Sequence, residues 1–139
     1  MKLLKMFFPV LFLSMSCYPV NAQDINVYIN VRGSSGIEGK IKETMSRKFS
    51  ALKNVAVKDN REECSLYLDL TVVEQEPIRF YALGVSVAYR LKENFYSRPT
   101  SDAAQFGEAR MEEVCGFLTR QIDRGFIVPL REAWGIGKE

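Results

Sequence analysis

Between Ile25 and Val31 every second residue is apolar, with Ile25, Val27, Ile29 and Val31 alternating with Asn26, Tyr28 and Asn30. Successive side chains of a strand point to opposite faces, so this segment is expected to be a strand with one buried side. After Gly33-Ser34-Ser35-Gly36 the spacing lengthens. Ile37, Ile41, Met45, Phe49 and Leu52 recur every three or four positions, while Lys40, Lys42, Glu43, Arg47 and Lys48 face elsewhere. That pattern predicts an amphipathic helix of about four turns. Ser35 and Glu38 have the Ser-x-x-Glu form of a capping box at its start.

Asn54-Val55-Ala56-Val57 predicts a short strand that Asp59-Asn60 ends. Two longer strands follow. In the first, Leu66, Leu68, Leu70 and Val72 alternate with Tyr67, Asp69, Thr71 and Val73; in the second, Leu83, Val85, Val87, Tyr89 and Leu91 alternate with Ala82, Gly84, Ser86, Ala88 and Arg90. Joined by the turn Glu74-Gln75-Glu76-Pro77, they read as an antiparallel hairpin. The small face of the second strand invites close approach, and a packed helix accounts for it better than a ligand does.

Residues 92–105 read as a polar connection. A last helix is expected over residues 106–126, with Met111, Val114, Cys115, Leu118 and Ile122 on one stripe. Pro129 should end or kink it, residues 130–134 add a turn, and residues 135–139 form a frayed tail. The order β-α-β-β-β-α predicts an α+β fold. It is a two-layer sandwich, a mixed four-stranded sheet with two helices packed on one face.

The N-terminus reads as an address label. Lys2 and Lys5 precede an apolar run from Met6 to Met15, and Val20-Asn21-Ala22 offers small residues at a cleavage site. Residues 1–22 are therefore expected to be a signal peptide, the run being too short for a membrane span of about 20 residues. Residues 23–139 are then a single domain, periplasmic or secreted, without a transmembrane segment. Lipidation at Cys17 is the weaker alternative, because the usual Leu falls one position early at Leu13.

This reading changes the charge argument. The chain has 19 Lys and Arg against 17 Asp and Glu, and Lys2 and Lys5 account for the excess. The exported part is neutral overall and has no global field to draw it to nucleic acid. Of three cysteines, Cys64 and Cys115 remain after Cys17 leaves, and an oxidising compartment favours a bridge between them. Such a bridge closes a loop of about 50 residues and stabilises by ~3–4 kcal/mol. Two buried free thiols are the alternative.

With no histidine, Ser-His and Cys-His nucleophile pairs and most zinc sites are excluded. The segment from Gly33 to Gly36 lacks the spacing of a phosphate cradle and is explained by a turn and a helix cap. Glu62 with Glu63, Glu74 with Glu76, and Glu108 with Glu112 read as solvated acids rather than a glycosidic pair. No catalytic residue, metal ligand or cofactor site is therefore assigned. Asp69 lies mid-strand, where Arg90 or Arg79 can pair with it across a strand. Tyr28, Tyr67, Phe80, Phe95, Tyr96 and Trp134 are the candidate recognition aromatics. Tyr28, Tyr67, Asp69, Arg90, Phe95 and Tyr96 make up the candidate binding surface.

The run from Asn54 through Asp59, Cys64 and Tyr67 to Leu70, with the order of elements around it, resembles periplasmic β-α-β-β-α modules. These include the amino-terminal domain of the translocation protein TolB and the curli-secretion lipoprotein domain. In them a short strand ends in an Asp, a small helical turn follows, and a long strand precedes a hairpin. The resemblance spans residues 25–127 and is mainly topological. It implies a non-catalytic module of the bacterial cell envelope whose partner is another envelope or secreted protein. No functional residue carries over. The alternatives are an inhibitor of a secreted enzyme that inserts residues 92–100, and a small carboxylate-based hydrolase without metal.

Overall fold

The computed structural model describes the backbone of residues 24–91, 94–98 and 103–137 and the side chains of residues 24–90 and 104–137. The expected signal segment, Cys17 and the side chains of Phe95 and Tyr96 lie outside them. The first alternating run forms β1 (Ile25–Gly33), in which Ile25, Val27 and Ile29 are fully buried. The first helix is α1 (Glu38–Ser50), burying Ile41, Thr44, Met45 and Phe49. It leads to β2 (Val55–Lys58), which pairs in parallel with β1.

β3 (Leu66–Gln75) pairs in parallel with the opposite side of β1, and β4 (Phe80–Leu91) pairs antiparallel with β3. The connection from β2 to β3 must therefore cross β1. It does so through a 3-10 turn, Arg61–Glu63, capped by the Asn60 side chain. Asn26 donates to the Glu63 carbonyl at 3.1 Å, which places the crossing on the face away from Ile25 and Val27.

The α+β two-layer architecture is as expected, with a mixed sheet whose helices pack on one face. The sheet has six strands rather than four. The segment read as a connection contributes β5 (Asn94–Arg98) and the start of β6 (Ala103–Gly107). Both pair antiparallel with β4, one beside Val87 to Leu91 and the other beside Phe80 to Gly84. Together they make one interrupted edge strand.

The last helix begins later than expected, because Phe106 belongs to β6 and is buried beside Tyr81. After a 3-10 turn at Glu108–Arg110, α2 (Met111–Ile122) buries Cys115, Gly116, Leu118, Thr119 and Ile122. Pro129 does not end the helical run. A π-turn at Asp123–Ile127 precedes α3 (Val128–Trp134), and the Val128 amide reaches back five residues to the Asp123 carbonyl. Proline lacks an amide donor and crowds the carbonyl four residues before it, and the wider turn upstream absorbs both. Over residues 135–137 the tail is docked rather than frayed: Gly135 takes a left-handed φ of 66°, the Ile136 amide donates to the Arg131 carbonyl, and Ile136 is buried.

Half of the capping box forms. Glu38 accepts from the Ser35 amide and hydroxyl, both at 2.7 Å, so that hydroxyl is spent on the carboxylate instead of capping the helix. Gly33 allows this, since a Cβ there would lie 2.5 Å from Glu38 Oε1 and 2.6 Å from the Val72 carbonyl. The α1–α2 seam is laced by ion pairs. Lys40 meets Glu108 at 2.7 Å, Arg47 pairs with Glu112, and Lys48 reaches Glu112 at 3.1 Å.

Candidate functional site

The helices and the apolar sides of all the long strands share one core. Leu66, Leu68, Leu70, Val72, Leu83 and Val87 meet Ile41, Met45, Phe49 and Leu118 there. The alternate positions of the same strands point the other way, and among the described residues no helix covers them. This open face is built row by row from the register. Tyr28, Tyr67 and Ala88 stand side by side, then Asn30, Asp69 and Ser86, then Arg32, Thr71 and Gly84, then Val73 and Ala82.

Each row has its own character. Tyr28 and Tyr67 stack with centroids 5.5 Å apart and planes 16° from parallel, and the Arg61 guanidinium lies 4.9 Å from the Tyr67 centroid. A stacked pair of this kind contributes about 0.5–1.5 kcal/mol beyond its buried area. In the next row Asp69 Oδ1 accepts from Asn30 at 2.9 Å and from Arg32 Nε at 3.1 Å, and Oδ2 pairs with Arg32 Nη2. The forked guanidinium and the Asn30 amide fix the carboxylate across the β1–β3 pair. With Arg32 63% exposed, the pair contributes at most about 1 kcal/mol. Beyond it the face is small and flat through Thr71, Gly84 and Ala82, and then turns apolar at Val73, Phe80 and the hairpin residue Ile78, which are 54%, 44% and 68% exposed.

The partner of Asp69 is thus neither Arg90 nor Arg79. β3 has a parallel neighbour as well as its hairpin partner, and the nearer cations come from that side. Arg90 sits one step beyond the tyrosine row and donates to the Glu62 carbonyl, helping to hold the crossing turn. Arg79 lies in the hairpin, in a left-handed conformation with φ 47°. Of the expected surface, Tyr28, Tyr67 and Asp69 are brought together in adjacent rows, and Arg90 flanks them. Phe95 and Tyr96 are placed by register beside Arg90 and Tyr89. The small face of β4 does not receive a helix.

The two cysteines are free, not bridged, and both are buried. Cys64 lies just before β3 beside Arg61 and Arg90, whereas Cys115 faces inward from α2 beside Glu112 and Lys48. Burial pushes the Cys64 thiol up despite the two arginines. Burial, with Glu112 adding to it, pushes Cys115 up to about 11. Both are therefore protonated, unreactive thiols at neutral pH.

Sequence reasoning missed the exposed Val73 and Ile78, because alternation alone does not say which apolar residues lie beyond the helical layer. It also missed two concavities that the turns create. An apolar groove of about 270 Å³ runs between β4 and the π-turn, lined by Tyr89, Gly125, Phe126, Pro129, Leu130 and Ala133. A polar cleft of about 500 Å³ is lined by Ser35, Glu74, Glu76, Pro77, Arg79 and Tyr81. Among the described residues no group of three or more Cys, Asp or Glu is placed to hold a metal ion, and no helix is long and apolar enough to cross a membrane. No protein-family model and no curated protein matches the chain.

Proposed function

We propose that this chain is an exported, non-catalytic protein-binding module of the bacterial cell envelope, docking another exported protein on the open face of its sheet. The observation that carries this reading is the asymmetry of the sheet. One face is closed by the helical layer, and the other is left uncovered by every described helix. An uncovered face with stacked tyrosines at one end, a fixed ion pair in the middle and exposed Val73, Phe80 and Ile78 at the other supports protein recognition. Aromatic and apolar anchors supply affinity, and a fixed polar group supplies register. The export signal read at residues 1–22 supports an envelope location.

The competing readings lose support from the same geometry. An enzyme needs converging groups, yet Asp69 and Arg90 are bound to different partners, in rows on either side of the tyrosine pair. An inserting inhibitor loop needs a free tip, yet residues Asn94–Arg98 are paired along β4.

The test is site-specific photo-crosslinking of the full chain in its native host. A crosslinker at Ser86 on the open face is expected to trap one protein partner, and a crosslinker at Lys42 on α1 is not. Gly84→Glu is the companion variant, since the nearest atom to a Cβ at Gly84 is the Thr71 carbonyl oxygen at 4.0 Å. It is expected to abolish the Ser86 adduct without lowering the melting temperature. Adducts from Lys42 alone, or an adduct that Gly84→Glu leaves unchanged, would overturn the proposal.

A further inference from the structure

Glu74 and Tyr81 are direct partners in the β3–β4 ladder, on the helix-covered side and one step beyond Val72 and Leu83. Here the core ends and the polar cleft begins. Tyr81 is 6% exposed, with its ring 5.8 Å from that of Phe106, and it lines the cleft. Its hydroxyl makes no hydrogen bond among the described residues. The ring is buried while the hydroxyl keeps access to solvent in the cleft, where it can still donate to a ligand. Arg79, on the opposite wall, is held in a left-handed conformation that a long side chain rarely adopts.

The other groups of the cleft sort by what they can still offer. The amide and hydroxyl hydrogens of Ser35 are both spent on Glu38, so the Ser35 oxygen faces a ligand only as an acceptor. Lys40, next to the cleft, is spent on Glu108. Glu74 and Glu76 bring two carboxylates, leaving Arg79 and the Tyr81 hydroxyl as the donors. The inventory is three acceptors, two of them charged, and two donors, one of them charged. Its complement carries two cationic groups and one carboxylate.

We propose that this cleft binds a free basic amino acid. Ammonium groups are received by Glu74, Glu76 and Ser35, and the carboxylate is received by Arg79 and Tyr81. The cleft lies on the helix side of the sheet, so this proposal is independent of docking on the open face.

Titration of the purified full chain with L-lysine, followed by NMR chemical shifts, tests it. L-lysine is expected to bind, while norleucine, without the side-chain ammonium, and lysinamide, without the carboxylate, each bind about tenfold more weakly. A Gly-Gly-Lys peptide, whose lysine α-nitrogen is an uncharged amide, is expected to bind about tenfold more weakly than free lysine, and tighter binding of the peptide would overturn the two-ammonium assignment. Tyr81→Phe is expected to weaken lysine about tenfold, and Arg79→Gln to erase the preference for lysine over lysinamide. Thermal melts confirm that both variants fold. Absence of saturable lysine shifts in the intact protein overturns the proposal. So does lysine binding that Tyr81→Phe and a Glu74→Gln/Glu76→Gln double variant leave unchanged.

Discussion

Leu68 and Asp69 are neighbours in sequence and occupy opposite worlds. On the covered side of β3 and β4, Leu66, Leu68, Leu70, Leu83 and Val87 are fully buried, and each contributes on the order of 1.5–3 kcal/mol through loss of apolar surface to water. On the open side, Tyr67, Asp69, Thr71, Gly84 and Ser86 meet one another and solvent, and what they contribute is worth about 1 kcal/mol or less each. One strand thus carries two messages at a period of two. The covered set determines whether the chain folds, and the open set determines what the folded chain presents, so either can change without the other.

That contrast can be broken by measurement. Leu68→Ala on the covered side should lose about 3–4 kcal/mol of stability in urea unfolding; a loss below about 1 kcal/mol would mean that the helical layer does not seal the core. Next in size is an alkaline effect. Folding raises Cys115 from the 9.0 of an exposed thiol to about 11, so the native state holds this proton more tightly than the unfolded chain does. The resulting stabilisation is whole below pH 9 and is lost as pH rises through about 11, with an expected loss of about 3 kcal/mol. Cys115→Ala should flatten that part of the stability profile, and an unchanged slope would refute the assignment. Tyr67→Ala should cost about 1 kcal/mol, the worth of the Tyr28 stack. Smallest of all, Gly84→Glu should shift stability by under about 0.5 kcal/mol while removing the crosslink from Ser86.

Much of this layout was legible in the residues. The alternation in β1, β3 and β4 and the three-four spacing in α1 and α2 name most of the buried residues, with Val31, Leu52, Tyr89, Met111 and Val114 only partly buried at the margins, because periodicity reports which side of an element meets the core. The edge strand was not legible for a local reason. The register puts polar Asn94 and Arg98 in one alternating set with Tyr96 and Phe106, so the apolar alternation is broken. Phe106 was given to the helix because an apolar residue just before a helical stripe fits either period. The partner of Asp69 required knowing that β3 has β1 on its other side, a fact of sheet order that no local pattern contains. The cysteine bridge was inferred from count and compartment, and neither carries a distance. The polar cleft joins Ser35 to Arg79 through two turns, and turns position residues without leaving a periodic trace.

The borders of the sheet have a consequence of their own. One border is β2, only four residues long, and the other is the broken line of β5 and β6. A long, regular border strand would offer its backbone amides and carbonyls as a template on which further chains add strand by strand. A short border and an interrupted one give such growth little to start from. Even at high concentration, this chain should resist fibre formation.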